Sequence, residues 1–390
     1  MKKICMIVPK GLPVPAVNGG AIETLLNLLS DQNEKEKKLE LTIISIYDKK
    51  AKQKAQKYKN TDFVFIKMNL HYILLSLLVK LKNKVSDKKL NTYNEICLNK
   101  IKRKKFDKII IEAGAFDKFT HYLKYFKKEQ MILHLHSHCR SDKRTDATFN
   151  SVIVPSDFIK KEWKQTSSIK KIYILKNCIN FKSFDRHITE SEKIKLKNKL
   201  GFKDEDFIIG YYGRIIPIKG VKEIIEAYLK IEGKNIKLLI VGSYNFNTNE
   251  TSTYNEEINN LVKDSNERIK ITGYVDNNEL YRYLDIMDIC VFSSICEEAA
   301  QITLIEAMAN KKAIISTKSG GNVEYATADA VIFINKDKNL INSLYKNMIK
   351  LYKNPELCKQ LGLEAYKQSI EYNEKKYYFN FVEIIENMEE

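Results

Sequence analysis

The chain has 390 residues and a mass of 45.4 kDa, more than one hydrophobic core usually holds, which predicts two domains. Its 44% apolar and 29% charged residues, with 14 Gly and 6 Pro, exclude a disordered or collagen-like chain, and seven scattered cysteines with no Cys-x-x-Cys pair exclude a disulfide framework or zinc knuckle. The net charge of +17 is one-sided: residues 1–180 hold 37 basic and 17 acidic side chains (+20), residues 181–390 hold 29 and 32 (−3).

Short β-rich apolar runs alternate with helical stretches along the chain. Strands are predicted at Lys3–Val8, Leu41–Ile46, Phe63–Lys67, Lys108–Ile111, Met131–Leu135, Val152–Val154 and Ile172–Leu175. Helices are predicted between them, near Ala21–Ser30, Tyr72–Lys82, Leu90–Arg103, Lys118–Phe126 and Asp157–Trp163. The rhythm restarts with strands at Phe207–Tyr212, Lys237–Val241, Ile269–Thr272, Ile289–Phe292, Ala313–Ser316 and Val331–Phe333. Strands that are apolar almost throughout and separated by helices mean parallel sheets covered on both faces, and two successive series mean two Rossmann-like α/β domains. The polar, strand-free stretch Phe181–Gly201 is read as the linker, giving domains at 1–183 and 184–373, with a last helix (about 374–390) able to pack back on the first domain. The apolar run at the N-terminus is too short for a signal peptide, and no stretch approaches a membrane span. The expected location is therefore cytoplasmic, at most peripheral on a membrane.

In open α/β domains ligands bind beyond the carboxyl ends of strands, so a cleft fed by those loops is the expected site. After the first strand, Gly19-Gly20-Ala21-Ile22-Glu23 opens a helix whose free amides suit a phosphate or sugar oxygen; the competing reading is a glycine turn with an exposed Glu23. After the fifth strand, His134-Leu135-His136-Ser137-His138 places histidines at alternate positions. They could converge on a metal, but no further ligand is evident nearby; the other reading is a single proton-handling His. Gly213-Arg214 and Lys219-Gly220 bring two cations and close-approach glycines to a strand–loop–helix junction, which suits a diphosphate; the competing reading is a β-turn with two solvated cations. Glu298 follows the strand Ile289–Phe292, and Glu306 lies eight positions later on an apolar helix, where a buried carboxylate needs a partner such as a ligand hydroxyl; the competing reading for Glu306 alone is an exposed helix position.

These four blocks, in this order, resemble the retaining glycosyltransferases of family 4, which have the GT-B fold: two Rossmann-like domains whose parallel sheets face a central cleft. Echoes include Pro155-Ser156, Val241-Gly242, Gly273-Tyr274, Asp288, Ser293-Ser294 and Gly320-Gly321 with Glu324. Leu12-Pro13-Val14-Pro15 through Glu23, with His134-Leu135-His136, resemble bacterial surface-polysaccharide and spore-coat-type members. The resemblance implies transfer of a hexose from a UDP- or GDP-sugar to a hydroxyl of a glycan, lipid-linked or protein acceptor, with retention of anomeric configuration and without a metal. It implies that Arg214 and Lys219 hold the diphosphate. Glu298 would bind the donor sugar's hydroxyls, helped by the amides of Ala299, Ala300 and Gln301, and Glu306 the ribose. Gly20 would approach the phosphate or acceptor, and His136 would lie near the reacting sugar, with His134 and His138 as rivals. Two stretches depart from the family pattern, Ala299-Ala300-Gln301 where Gly-Phe-Gly is common and Asn177-Cys178-Ile179-Asn180 where Asn-Gly-Val-Asp is usual. Asp204-Glu205-Asp206, the only match to the paired-aspartate motif common in metal-using sugar transferases, is read as a solvated turn.

The +20 half then reads as the acceptor side, facing an anionic membrane, with His71–Lys84 as a docking helix or, alternatively, a core helix. Nucleic acid is not expected, because no helix-turn-helix, zinc-finger or aromatic RNA-binding signature accompanies the charge. The alternatives are a GT-B sugar-nucleotide epimerase or phosphorylase and, in another class, a basic nucleic-acid-binding or scaffold protein without chemistry.

Overall fold

A computed structural model describes residues 1–17, 19–85, 89–244, 253–265 and 267–388. The chain divides into two compact units, Met1–Asn177 with Glu374–Glu390, and Cys178–Asn373.

In the first unit the order is β1 (Lys2–Ile7), α1 (Ala21–Glu36), β2 (Leu39–Ile46), α2 (Lys49–Ala55), β3 (Thr61–Ile66), α3 (Leu70–Val85), α4 (Thr92–Ile101), β4 (Lys108–Glu112), β5 (Met131–His134), α5 (Lys143–Thr148), β6 (Ser151–Val154), α6 (Asp157–Lys164) and β7 (Lys171–Ile174). The strands form one parallel sheet in the order β3-β2-β1-β4-β5-β6-β7. Helices bury both faces, so Ile4, Cys5 and Met6 of β1 and Ile109 and Ile110 of β4 have no exposed surface. That is why runs such as Lys108-Ile109-Ile110-Ile111 lack the alternation of a half-buried strand.

The second unit holds α7 (Phe181–Phe184), α8 (Glu190–Lys199), β8 (Phe207–Tyr212), α9 (Val221–Leu229), β9 (Ile236–Val241), α10 (Thr253–Lys263), β10 (Ile269–Ile271), α11 (Leu280–Ile286), β11 (Ile289–Phe292), α12 (Ile302–Ala309), β12 (Ala313–Thr317), β13 (Val331–Ile334), α13 (Leu340–Tyr352) and α14 (Pro355–Ser369). Its parallel sheet runs β10-β9-β8-β11-β12-β13. Each sheet thus changes direction once, between β1 and β4 and between β8 and β11. Connections leave such a pair toward opposite faces and open a crevice at its carboxyl edge.

Two expectations about elements need correction. The stretch Phe181–Gly201 is not a bare linker but carries α7 and α8, and Phe184 and Ile188 are buried in the second unit's core. The start of α8 is marked by a capping box, in which Thr189 accepts from the Glu192 amide while Glu192 accepts from the Thr189 amide. Lys118–Phe126 is not an α-helix but two 3₁₀ turns, Phe116–Lys118 and Thr120–Lys124. Phe116, Phe119 and Tyr122 are all buried, and their spacing of three residues is the 3₁₀ repeat.

The last helix, α15 (Glu374–Asn387), packs on α1 within the first unit. Tyr378, buried at that contact, donates from its hydroxyl to Asn33 Oδ1 at 2.7 Å and accepts from the Lys38 amide at 3.1 Å. Tyr378→Phe leaves both partners short of a hydrogen bond and is expected to cost about 1–3 kcal/mol. Thermal denaturation reads this as a Tm lower by several degrees; an unchanged Tm would show that the helix is not anchored there.

Candidate functional site

In the second unit the crevice between β8 and β11 is built by two loops tied to each other. The backbone amide of Ile295, after β11, donates to the Ile218 carbonyl, after β8, at 3.0 Å. Gly220, with φ of 67°, passes so close that a Cβ there would collide with the Ser293 carbonyl; a side chain at this position would push the loops apart. This approach delivers Lys219 to Glu298: Nζ meets Oε1 at 2.6 Å, both side chains being mostly buried. Ser294 Oγ donates to the same oxygen at 2.5 Å, and the Glu298 amide donates to Ser319 Oγ at 3.1 Å. Arg214 is exposed in the β8 loop, and among the described residues no ion pair engages its guanidinium. Glu306 sits in the second turn of α12, a helix whose start is tied to β8 by a hydrogen bond from the Tyr212 hydroxyl to the Thr303 carbonyl. Burial, with no cation near, pushes the Glu306 carboxyl up to about 8.

In the first unit the corresponding crevice lies between β1 and β4. Glu112, the last residue of β4, is the register partner of His134 on β5. Partners across adjacent strands present side chains to the same face, and His136, two positions on, shares it. His136 Nε2 lies 2.7 Å and His134 Nδ1 2.9 Å from the same oxygen, Glu112 Oε2. Glu112 is fully buried; burial alone would raise its pKa, but the two imidazoles outweigh it and hold the carboxyl at about 2. His136 is pushed below its usual value, first by burial and then by His134, against the pull of Glu112. Glu23, in the first turn of α1, is buried rather than exposed, and burial, opposed by its own amide and helped by the Glu112 charge, raises it to about 7. Gly20 (φ 94°) is packed under that carboxylate, so a Cβ there would collide with Glu23 Oε2. Asn18, inside the same glycine loop, lies outside the described residues. His138 is apart from this group, half-exposed and 3.4 Å from Glu162.

Residues 192–368 match the family model described as glycosyl transferases group 1. Spore coat protein SA of Bacillus subtilis is 24% identical over 338 residues, covering 83% of this chain and 82% of that one. The lipopolysaccharide 1,2-N-acetylglucosaminetransferase of Salmonella typhimurium is 23% identical over 222 residues, the match spanning 56% of this chain and 57% of that one. Among solved structures, the Anabaena protein HepE, crystallised with UDP and glucose, superposes with a TM-score of 0.78 at 14% identity over 99% of this chain and 100% of that one. Residues 192–368 are thus similar to the group 1 glycosyl transferases. The GT-B fold is that of the chain's structural neighbours.

Within residues 192–368, the structure brings Lys219 and Glu298 into contact with each other rather than holding them apart. The amide of Gln301, expected to serve the donor sugar, already donates to Asn322 Oδ1 at 2.9 Å, and Asn322 Nδ2 returns a bond to Gln301 Oε1 at 3.1 Å. The Ala-Ala-Gln sequence is thus pinned to the turn after β12, and that amide is not free. Ala299 is buried and Ala300 partly so. Asp206 is buried, accepting from the Lys203 amide at 2.8 Å, and is no solvated acid. Glu112 had no motif to announce it. It closes an isoleucine strand and gains meaning only from the register that sets it beside His134, supplying the third ligand type that the sequence lacked. Ligand-type atoms of Glu112, His134 and His136 lie within 4.8 Å of one another.

Because unfolded Glu306 ionises near 4.5 and the folded residue near 8, stability conferred by its protonated form is full below pH 4.5 and is lost as pH rises toward 8. Glu306→Gln removes this loss. Its Tm should nearly equal that of the wild type near pH 4.5 and exceed it by roughly 3 °C or more at pH 8. A difference that does not grow with pH would contradict the burial of this carboxylate.

Proposed function

We propose that the chain transfers a hexose from a nucleotide-diphosphate sugar, UDP- or GDP-linked, to a hydroxyl of a glycan, lipid-linked or protein acceptor, with retention of anomeric configuration, in surface-glycan biosynthesis. The observation that carries this reading is the Lys219–Glu298 pair, with Arg214 on the same loop after β8, at the strand-order reversal of the second unit's sheet. The second unit (expected at 184–373) is the donor side and the first (1–183 with the terminal helix) the acceptor side. Support for the donor class comes from the neighbour HepE, which was also crystallised with UDP-glucose.

As the bond from the anomeric carbon to the diphosphate breaks, negative charge grows on the leaving oxygen, and Arg214 and Lys219 take it up. Glu298 orients the sugar's hydroxyls, and Glu306 accepts from the ribose. The incoming hydroxyl attacks from the face the diphosphate leaves, and its proton passes to the departing phosphate. Glu112 is clamped by two imidazoles and is poorly suited to act as a covalent nucleophile. Arg214 and Lys219 supply the positive charge a metal would otherwise bring, so the reaction is expected to run without one. His136 lies near the reacting sugar and Gly20 near the acceptor.

The test is transfer from a panel of nucleotide sugars, with donors ranked first by the thermal shift each produces. Glu298→Ala is expected to lower kcat by about 10²-fold or more while keeping most of the nucleotide's thermal shift, and the anomeric proton coupling of the wild-type product should match that of the donor. Isomerised donor with no transfer would favour an epimerase, and nucleic-acid binding with no turnover a scaffold.

The acceptor side meets an anionic membrane through α3. Leu70, Ile73, Leu74, Leu77, Leu78 and Leu81 form one helical stripe, each more than half exposed, and Lys80, Lys82 and Lys84 are exposed on the same helix. An apolar stripe with lysines beside it is the pattern of a helix lying in the headgroup layer, and the core-helix alternative fails on this exposure. No helix among the described residues is long and apolar enough to cross a membrane. Co-sedimentation with phosphatidylglycerol vesicles should fall steeply as salt rises, and Leu74→Asp with Leu78→Asp should weaken it about tenfold or more. Binding indifferent to both would remove the membrane from this reading.

A further inference from the structure

The group that no motif announced is Glu112. Its carboxylate is fully buried, no lysine or arginine compensates it among the described residues, and one of its oxygens is approached by two imidazole nitrogens at 2.7 and 2.9 Å. A carboxylate only accepts hydrogen bonds, so the facing nitrogen of His136, Nε2, must carry the hydrogen. That fixes the other nitrogen, Nδ1, as the one turned away from the carboxylate. The His136 side chain keeps 8% of its surface exposed, whereas Glu112 keeps none.

The His136 contact is a hydrogen bond, and His134 Nδ1 lies at ion-pair distance from the same oxygen. A tetrahedral ion bound at about 2.0–2.1 Å would hold its ligands about 3.4 Å apart, so the cluster as it stands is drawn in on one carboxylate oxygen rather than spread around a cation.

We propose that Glu112 is a positioning residue for His136: by accepting from Nε2 it locks the ring so that Nδ1 is the atom offered to a sugar hydroxyl, while His134, on the same carboxylate oxygen, keeps Glu112 from turning. The inference rests on the reading that places His136 near the reacting sugar. The arrangement belongs to a general pattern in which a buried carboxylate selects the tautomer and orientation of a working imidazole. Here it is reached through strand register: Glu112 and His134 are partners across β4 and β5, and His136 follows on the same face.

The test uses the full chain labelled with ¹⁵N-histidine, the His136 signals being assigned by their loss in His136→Gln. The ring-nitrogen shifts of the wild type should report hydrogen on Nε2 and a bare Nδ1. Glu112→Gln can donate as well as accept, so it should produce a mixture of tautomers and lower kcat by about 10–100-fold with an unchanged donor KM. Glu112→Asp, which keeps the charge, should recover part of that loss. Hydrogen found on Nδ1 in the wild type overturns the proposal, and needs no variant to fold. So does a Glu112→Gln enzyme with full kcat, or one whose kcat falls while its His136 shifts stay those of the wild type. A wild-type chain that transfers no sugar would instead sink the functional reading, and the tautomer measurement would still decide the role of Glu112.

Discussion

A parallel sheet covered on both faces leaves its polar groups very little room. In each unit the inner strands are buried over most of their length, so polar groups collect on the edge strands and where the chain leaves the sheet, and an opening forms where the strand order reverses. The ends of β4 and β5 with the loop after β1, and the loops after β8 and β11, are those places. Lys219, Glu298, Glu112, His134, His136 and Glu23 all stand at them. The site residues lie where the architecture tolerates charge at all, and the rest of the chain keeps those edges rigid.

Rigidity is achieved differently in the two units. In the second, glycine allows loop and strand end to touch at Gly220 and Ser293, and a backbone hydrogen bond from Ile295 to Ile218 fastens the result. In the first, the fastening is electrostatic: one carboxylate collects two imidazoles, and a second carboxyl, Glu23, is raised to about 7 by burial with a further push from the Glu112 charge. Pairs of acids driven apart in this way can accept and supply protons without both being charged.

Much of this was legible in the residues. Every strand follows from a β-branched apolar run, and the Arg214–Lys219 and Glu298–Glu306 blocks sit in the loops and helix that their flanking patterns indicate. What was not legible is what depends on register or long-range packing. Nothing local distinguishes Glu112 from a solvated residue at a strand end; its partner is 22 positions away and is set by how β4 pairs with β5. The burial of Glu23 carries no local signal either, because a first helical turn is usually exposed. The segment around Tyr122 shows an apolar spacing that 3₁₀ and α-helical repeats both accommodate over so short a length. The polar stretch before β8 hid two helices, although Thr189 and Glu192 carried a start signal that could have revealed one of them. The stripe on α3 is a clean helical pattern in sequence, but only the structure tells an outward apolar face from an inward one.

The ion pair between Lys219 and Glu298 binds two positions 79 residues apart to a single fate. Each is the other's neutralising neighbour in a pocket that water barely reaches, and losing one strands a charge at a cost of several kcal/mol. Evolutionary drift through this pocket would therefore have to change both residues together or neither. Among the chain's relatives the two positions should covary, even where the intervening sequence has been rewritten.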